Sequence, residues 1–98
     1  MSIHFDKIKK VLISHRKQLA NLGTRHLAIF GSAARGTAKI TSDIDILVDF
    51  DAKKGLFVFA DLKFFLEEIL EAEVDLVSKR ALHPALKKRI LNEAKQVF

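Results

Sequence analysis

Residues 43–50 read Asp-Ile-Asp-Ile-Leu-Val-Asp-Phe, and their polarity alternates. Ile44, Ile46, Val48 and Phe50 point one way, while Asp43, Asp45, Leu47 and Asp49 point the other. A period of two fits a strand and does not fit a helix. A strand with one aliphatic face must be covered by other apolar surface, so the rest of the chain has to supply that cover. It does so with three segments of helical spacing. From Phe5 to Leu22, the residues Phe5, Ile8, Val11, Leu12, His15, Leu19 and Leu22 share one face, and Gly23 stands where that helix would end. From Leu56 to Ala72 the stripe is Phe59, Leu62, Phe65, Leu66, Ile69 and Leu70. Pro84 opens a last helix at a position where its missing N–H costs nothing, with Leu86, Ile90, Ala94 and Val97 inward.

Two more runs read as strands. His26–Phe30 is short and almost wholly apolar, and residues 73–78 place Val74 and Leu76 opposite Glu73, Asp75 and Val77. The predicted order is α-β-(short α)-β-α-β-α. This is an α/β (α+β) domain with a small mixed three-stranded sheet covered by helices, forming a single unit over residues 1–98. The sequence leaves the strand order open. Apolar residues make up 49% of the chain, enough to drive folding. There is no cysteine, which excludes disulfides and thiolate metal sites. No apolar run reaches the roughly 18 residues of a membrane helix, and the first ten residues lack the apolar core of a signal peptide. A cytoplasmic protein without membrane contact is the expectation. The net charge of +5 suits an acidic or phosphate-rich partner, and it equally suits simple solubility.

The acidic side of the 43–50 strand carries the chemistry. Asp43 and Asp45 are two residues apart on a strand, so their carboxylates leave one face about 6–7 Å from each other. Two carboxylates at that spacing repel by roughly 3 kcal/mol at an effective dielectric near 20. Asp75 repeats the pattern on another strand. If the two strands are neighbours, three carboxylates meet, and a bound cation would remove the cost of gathering them. Magnesium takes oxygen ligands and prefers one or two carboxylates plus substrate phosphates. A pair of ions there could clamp the attacking and leaving oxygens of a phosphoryl displacement. The plainer reading is that these aspartates are the wet side of a half-covered sheet.

Gly31 and Ser32 stand where the first strand gives way to a single helical turn. Backbone N–H groups at such a turn point outward and can cradle phosphate, and glycine lets a ligand approach closely. Arg35, one turn further on, could reach the same anion with its fork of donors. Gly36 then releases the chain into a loop. The alternative is an ordinary strand-to-helix turn with Ser32 as its cap.

Together, "GSAARG", a six-residue loop, "SDID" and a later "VDLV" resemble the signature of the DNA polymerase β-like nucleotidyltransferases. The chain is similar in particular to the minimal nucleotidyltransferases, which consist of the catalytic domain alone. The resemblance implies the nucleotidyltransferase fold and transfer of a nucleoside monophosphate from ATP or another nucleoside triphosphate to a hydroxyl. It assigns the nucleotide to Gly31, Ser32 and Arg35, with Gly36 and Ser42 beside them. Two magnesium ions fall to Asp43 and Asp45. Asp75 would complete one ion's shell and orient or activate the attacking hydroxyl.

So small a domain has little surface for a second substrate. The resemblance implies that the acceptor sits on a partner, a HEPN-domain protein, often a ribonuclease toxin. This chain would be the antitoxin that adds AMP to it, in a homo- or hetero-oligomer. The alternative is a binding module that neutralises the same partner by contact. Phe57 and Phe64 lie seven residues apart, nearly opposite the buried stripe of their helix. They are candidates for an association surface, or else tuck beneath a neighbouring turn. His15 on its apolar face reads as a core or boundary histidine. His4, His26 and His83 have no metal-ligand spacing. The Lys-Lys-Arg run at 87–89 reads as a solvated face, and no aromatic-basic interleaving points to direct nucleic-acid binding.

Overall fold

The alternating segment is the second strand of a four-stranded sheet. In a computed structural model, which describes residues 5–35 and 43–98, the strands are β1 (Thr24–Phe30), β2 (Ile44–Phe50), β3 (Val74–Ser78) and β4 (Lys95–Gln96). They lie in the order β3-β2-β1-β4. β2 runs antiparallel to β1 and parallel to β3, and β4 is antiparallel to β1. The helices are α1 (Phe5–Ser14), α2 (Arg16–Asn21), α3 (Gly31–Arg35), α4 (Gly55–Leu70) and α5 (Pro84–Glu93).

One face of the sheet carries the core. Ile44, Ile46 and Val48 of β2, Leu27 and Ile29 of β1, and Val74 of β3 are buried there against Ile8, Leu12, Leu19, Leu62 and Leu66 of α1, α2 and α4. The expected stripe on α4 holds, with Leu62 and Leu66 fully buried and Phe59, Phe65, Ile69 and Leu70 packed around them. Gly23 ends the helical lead-in with φ +86, and a Cβ there would come within 2.8 Å of the Phe50 ring.

Three features depart from the sequence expectation. The lead-in helix is broken at His15. Its N–H bonds to the Leu12 carbonyl, while the Val11 carbonyl, its partner in a continuous helix, accepts from the Ser14 hydroxyl at 2.7 Å and from His15 Nδ1 at 2.8 Å. Side chains that compete for a backbone carbonyl in this way interrupt a helix. His15 also stands edge-on to Phe65, 5.8 Å between ring centres, which makes it a satisfied boundary histidine.

The last helix stops at Glu93, and the chain turns extended to form β4, which makes the sheet four-stranded instead of three. Val97 therefore reaches the core from beside β1, where its N–H donates to the Leu27 carbonyl at 2.8 Å. Leu86, expected to face inward, is 51% exposed, and α5 buries no residue fully. His83 caps α5, its Nδ1 accepting from the Ala85 N–H at 3.2 Å.

Candidate active site

Strand register decides what the carboxylates can do together. Across β1, β2 and β3 the residues Phe30, Asp45 and Asp75 are opposed in one row. Opposed residues on neighbouring strands leave the same face, so Asp45 and Asp75 project together about 5 Å apart at the strand spacing. This is the face turned away from the core. Asp43 lies one pleat before Asp45, just ahead of β2, and is exposed; Asp75 is exposed and Asp45 half-buried. Because β1 runs opposite to β2, the C-terminal end of β1 meets the N-terminal ends of β2 and β3. The Gly31–Ser32 turn therefore sits beside the acidic row.

Gly31 is where this closeness is tightest. Its φ is +67, in the left-handed region that glycine tolerates, and a Cβ there would run into Asp45 Oδ2 and lie 3.3 Å from its Cγ. The glycine is thus required by Asp45 itself, whose carboxylate lies against the start of α3. Ser32 is the second residue of α3 and half-buried, and Ala33 and Ala34 after it enter the core. Of Arg35 only the backbone, closing α3, lies within the described residues; Gly36 and Ser42 lie outside them.

Two backbone contacts hold the row in register. The Ile44 N–H donates to the Glu73 carbonyl at 2.9 Å. The Val74 N–H donates to Glu67 Oε2 at 3.0 Å, which pins the last turn of α4 to the residue before Asp75. Spacing alone gave no sign of Glu67; its role appears only when α4 and β3 are seen side by side.

The donor set consists of hard carboxylate oxygens with no nitrogen or sulfur, which suits magnesium. Among the described residues no three acidic or histidine side chains gather closely enough to cage an ion alone. The arrangement is a carboxylate pair, Asp45 and Asp75, with Asp43 to one side. Magnesium sites completed by substrate phosphates have this form, so the residues fit the ion.

The next row on the same face is apolar. Ala28, Leu47 and Val77 oppose one another, with Gln96 beyond Ala28. Leu91 and Ala94 stand over this row and leave a cavity of about 220 Å³, whose polar lining is His26, Asp49, Lys79 and Gln96. Neither His26 nor Lys79 is marked out by the sequence. They come together because His26 is opposed to Asp49 and because Lys79 follows the end of β3.

The profile of the nucleotidyltransferase domain matches residues 6–97. The chain belongs to this family. It is 47% identical over 92 residues to MJ0435 of Methanocaldococcus jannaschii, covering 94% of this chain and 91% of that protein. It is 42% identical over 89 residues to the protein adenylyltransferase MntA of Thermococcus cleftensis, covering 90% of each. A solved toxin–antitoxin structure with AMP-PNP matches at TM-score 0.74 and 27% identity, over 92% of this chain and 72% of that one. The fold and the enzyme class expected from the sequence both hold: the protein is a nucleotidyltransferase of the minimal group.

Proposed function

We propose that this nucleotidyltransferase moves AMP from ATP to a hydroxyl on a partner protein of HEPN type, and so acts as the antitoxin of a toxin–antitoxin pair. The observation that carries the chemistry is the row of Asp45 and Asp75 beside Gly31. The similarity to MntA, a protein adenylyltransferase, supports the nucleotide and the protein acceptor. The likeness to a toxin–antitoxin structure with AMP-PNP supports the pairing.

Gly31 and Ser32 receive the terminal phosphates, with Arg35, Gly36 and Ser42 as further nucleotide contacts. Asp43, Asp45 and Asp75 hold magnesium, two ions in all. Bound there, magnesium neutralises charge on the phosphates as it develops. Asp75 orients the acceptor hydroxyl and draws off its proton. The acceptor oxygen forms a bond to the α-phosphorus, the bond from that phosphorus to the β-bridging oxygen breaks, and pyrophosphate leaves. Catalysis of this kind is positioning and charge stabilisation, not covalent chemistry by the protein. The rigid register of β2 against β3 provides the positioning.

The test is incubation of the purified protein with α-labelled ATP, magnesium and a purified HEPN-domain protein as acceptor. Label should appear on that protein and vanish when Asp43 and Asp45 are both changed to alanine. Inhibition of the partner without label, surviving those changes, would instead establish a contact-only module.

A further inference from the structure

We propose that an apolar hollow at the far end of the sheet, walled by Leu56, together with the exposed Phe57 that follows it in the chain, docks a segment of the acceptor protein that carries an apolar anchor between acidic residues. This rests on the reading that the acceptor is a protein.

α4 begins with two large apolar side chains in water. Leu56 is 85% exposed and Phe57 90% exposed, and Phe64, two turns on, is 65% exposed. Single exposed apolar residues need no explanation, but a contiguous apolar surface does. Here Leu56 forms one wall of a hollow of about 520 Å³ whose other sides include Phe50, Phe59, Leu76, Val77 and Ala81. That volume lies within the ~300–1,000 Å³ typical of pockets that seat a ligand. Among the described residues no charged side chain lines it.

The flanks set the chemistry of the occupant. Lys53 and Lys54 precede the hollow's Gly55, Arg80 precedes its Ala81, and all three are exposed. Of the acids next to the hollow's residues in sequence, Asp49 and Asp75 leave the other face of the sheet, and Asp51 is already engaged: its Oδ1 accepts from the Lys53 N–H at 3.1 Å and stands 3.5 Å from Arg25 Nη2. The rim is therefore net positive. An apolar side chain from a partner would fill the hollow, and acidic residues beside it would meet Lys53, Lys54 and Arg80.

The location separates holding from chemistry. Phe50 and Ser78 end β2 and β3, whereas Asp45 and Asp75 lie near their starts. Phe50 stands roughly 17 Å along β2 from Asp45, and Leu76, which lines the hollow one residue past Asp75, leaves the opposite face of β3. Docking there leaves the carboxylate row open to nucleotide.

The experiment measures, by calorimetry, binding of the purified HEPN-domain protein used as acceptor in the transfer assay. Changing Leu56 and Phe57 together to serine should raise its Kd by about 30-fold or more, as for loss of a central anchor. Lys53→Glu with Lys54→Glu should raise it about tenfold at low salt and less at high salt. Ile13→Ser, an exposed apolar residue on α1, should leave it unchanged. ATP affinity should be the same in all variants. In the transfer assay the serine pair should raise KM for the partner and keep kcat. An unchanged partner Kd in the serine pair would overturn the proposal, as would a loss of ATP affinity. So would self-association of the wild type that the serine pair abolishes while partner binding persists. If the wild type binds through these residues but never labels its partner, the docking site stands and the proposed transfer falls. If label transfers equally well in the serine pair, the reverse holds.

Discussion

The two ends of β2 are built on opposite terms. At its start, Asp43 and Asp45 gather charge beside Asp75 and a glycine that cannot be replaced without collision. At its end, Phe50 borders a hollow without charge, beside the exposed Leu56 and Phe57. The first end is crowded with charge; the second is apolar and open to solvent. Under the proposed function, the difference gives each of the two substrates its own end of one strand. A strand keeps a fixed length and a fixed alternation, so it can carry a reactive row and a holding surface without either constraining the other.

The largest expected effect breaks the reactive end alone. Asp45→Asn removes one charge at nearly constant shape. Transfer should fall by about 10²–10³, the loss of several kcal/mol of charge stabilisation in the transition state. Thermal stability should change little, because asparagine keeps the shape of the side chain and one of its acceptor oxygens against the start of α3. A stability loss comparable to a core mutation would show that the carboxylate is structural. Gly31→Ala should come next. It forces a side chain into left-handed backbone at a cost of about 1–3 kcal/mol and displaces the Asp45 carboxylate. Transfer should drop about 100-fold, as a misplacement near 1 Å can cause. Wild-type activity in this variant would mean that the turn and the carboxylate need not touch.

Much of this was legible from residue order. The alternation of 43–50 survives intact in the structure, because a half-buried strand leaves its register no choice of face. The exposure of Phe57 and Phe64 follows from the helical period of α4. The opposition of Asp45 to Asp75 was not legible, since it depends on β3 lying parallel to β2, and the two are distant in sequence. β4 was hidden for another reason. Its two residues, Lys95 and Gln96, are polar and exposed, and the apolar spacing of Ile90, Ala94 and Val97 continues a helical pattern through them. The break at His15 was masked in the same way, because the stripe runs on while Val11's carbonyl changes partners. In each case a local period persisted where a tertiary or side-chain contact had taken over.

A smaller effect lies between the two ends, at Glu67. Glu67→Ala leaves the Val74 N–H without its carboxylate partner, which should cost about 1–3 kcal/mol as a lost hydrogen bond to a charged group. The Tm should fall by several degrees. Transfer should weaken only several-fold, because the Ile44–Glu73 backbone bond still pairs β3 with β2. Glu67→Gln retains an acceptor oxygen and should restore most of both. A rate loss as deep as that of Asp45→Asn, without a change in Tm, would place Glu67 in the reaction itself and would redraw the acidic end.

The smallest effect is expected where the surface looks most anomalous. Leu56→Ser and Phe57→Ser remove apolar atoms that already face water, so the isolated protein should change in stability by no more than about 0.5 kcal/mol for each. Solubility should improve as the exposed apolar patch shrinks. Chemical denaturation of the two single variants decides the matter. Destabilisation of 2 kcal/mol or more in either, the range of a core truncation, would mean that the side chain folds over its own hollow in solution and completes the core. The two ends of β2 would then differ in charge alone. Near-neutral values would leave the contrast as the structure has it, with one end crowded for chemistry and the other held open at no cost to the fold.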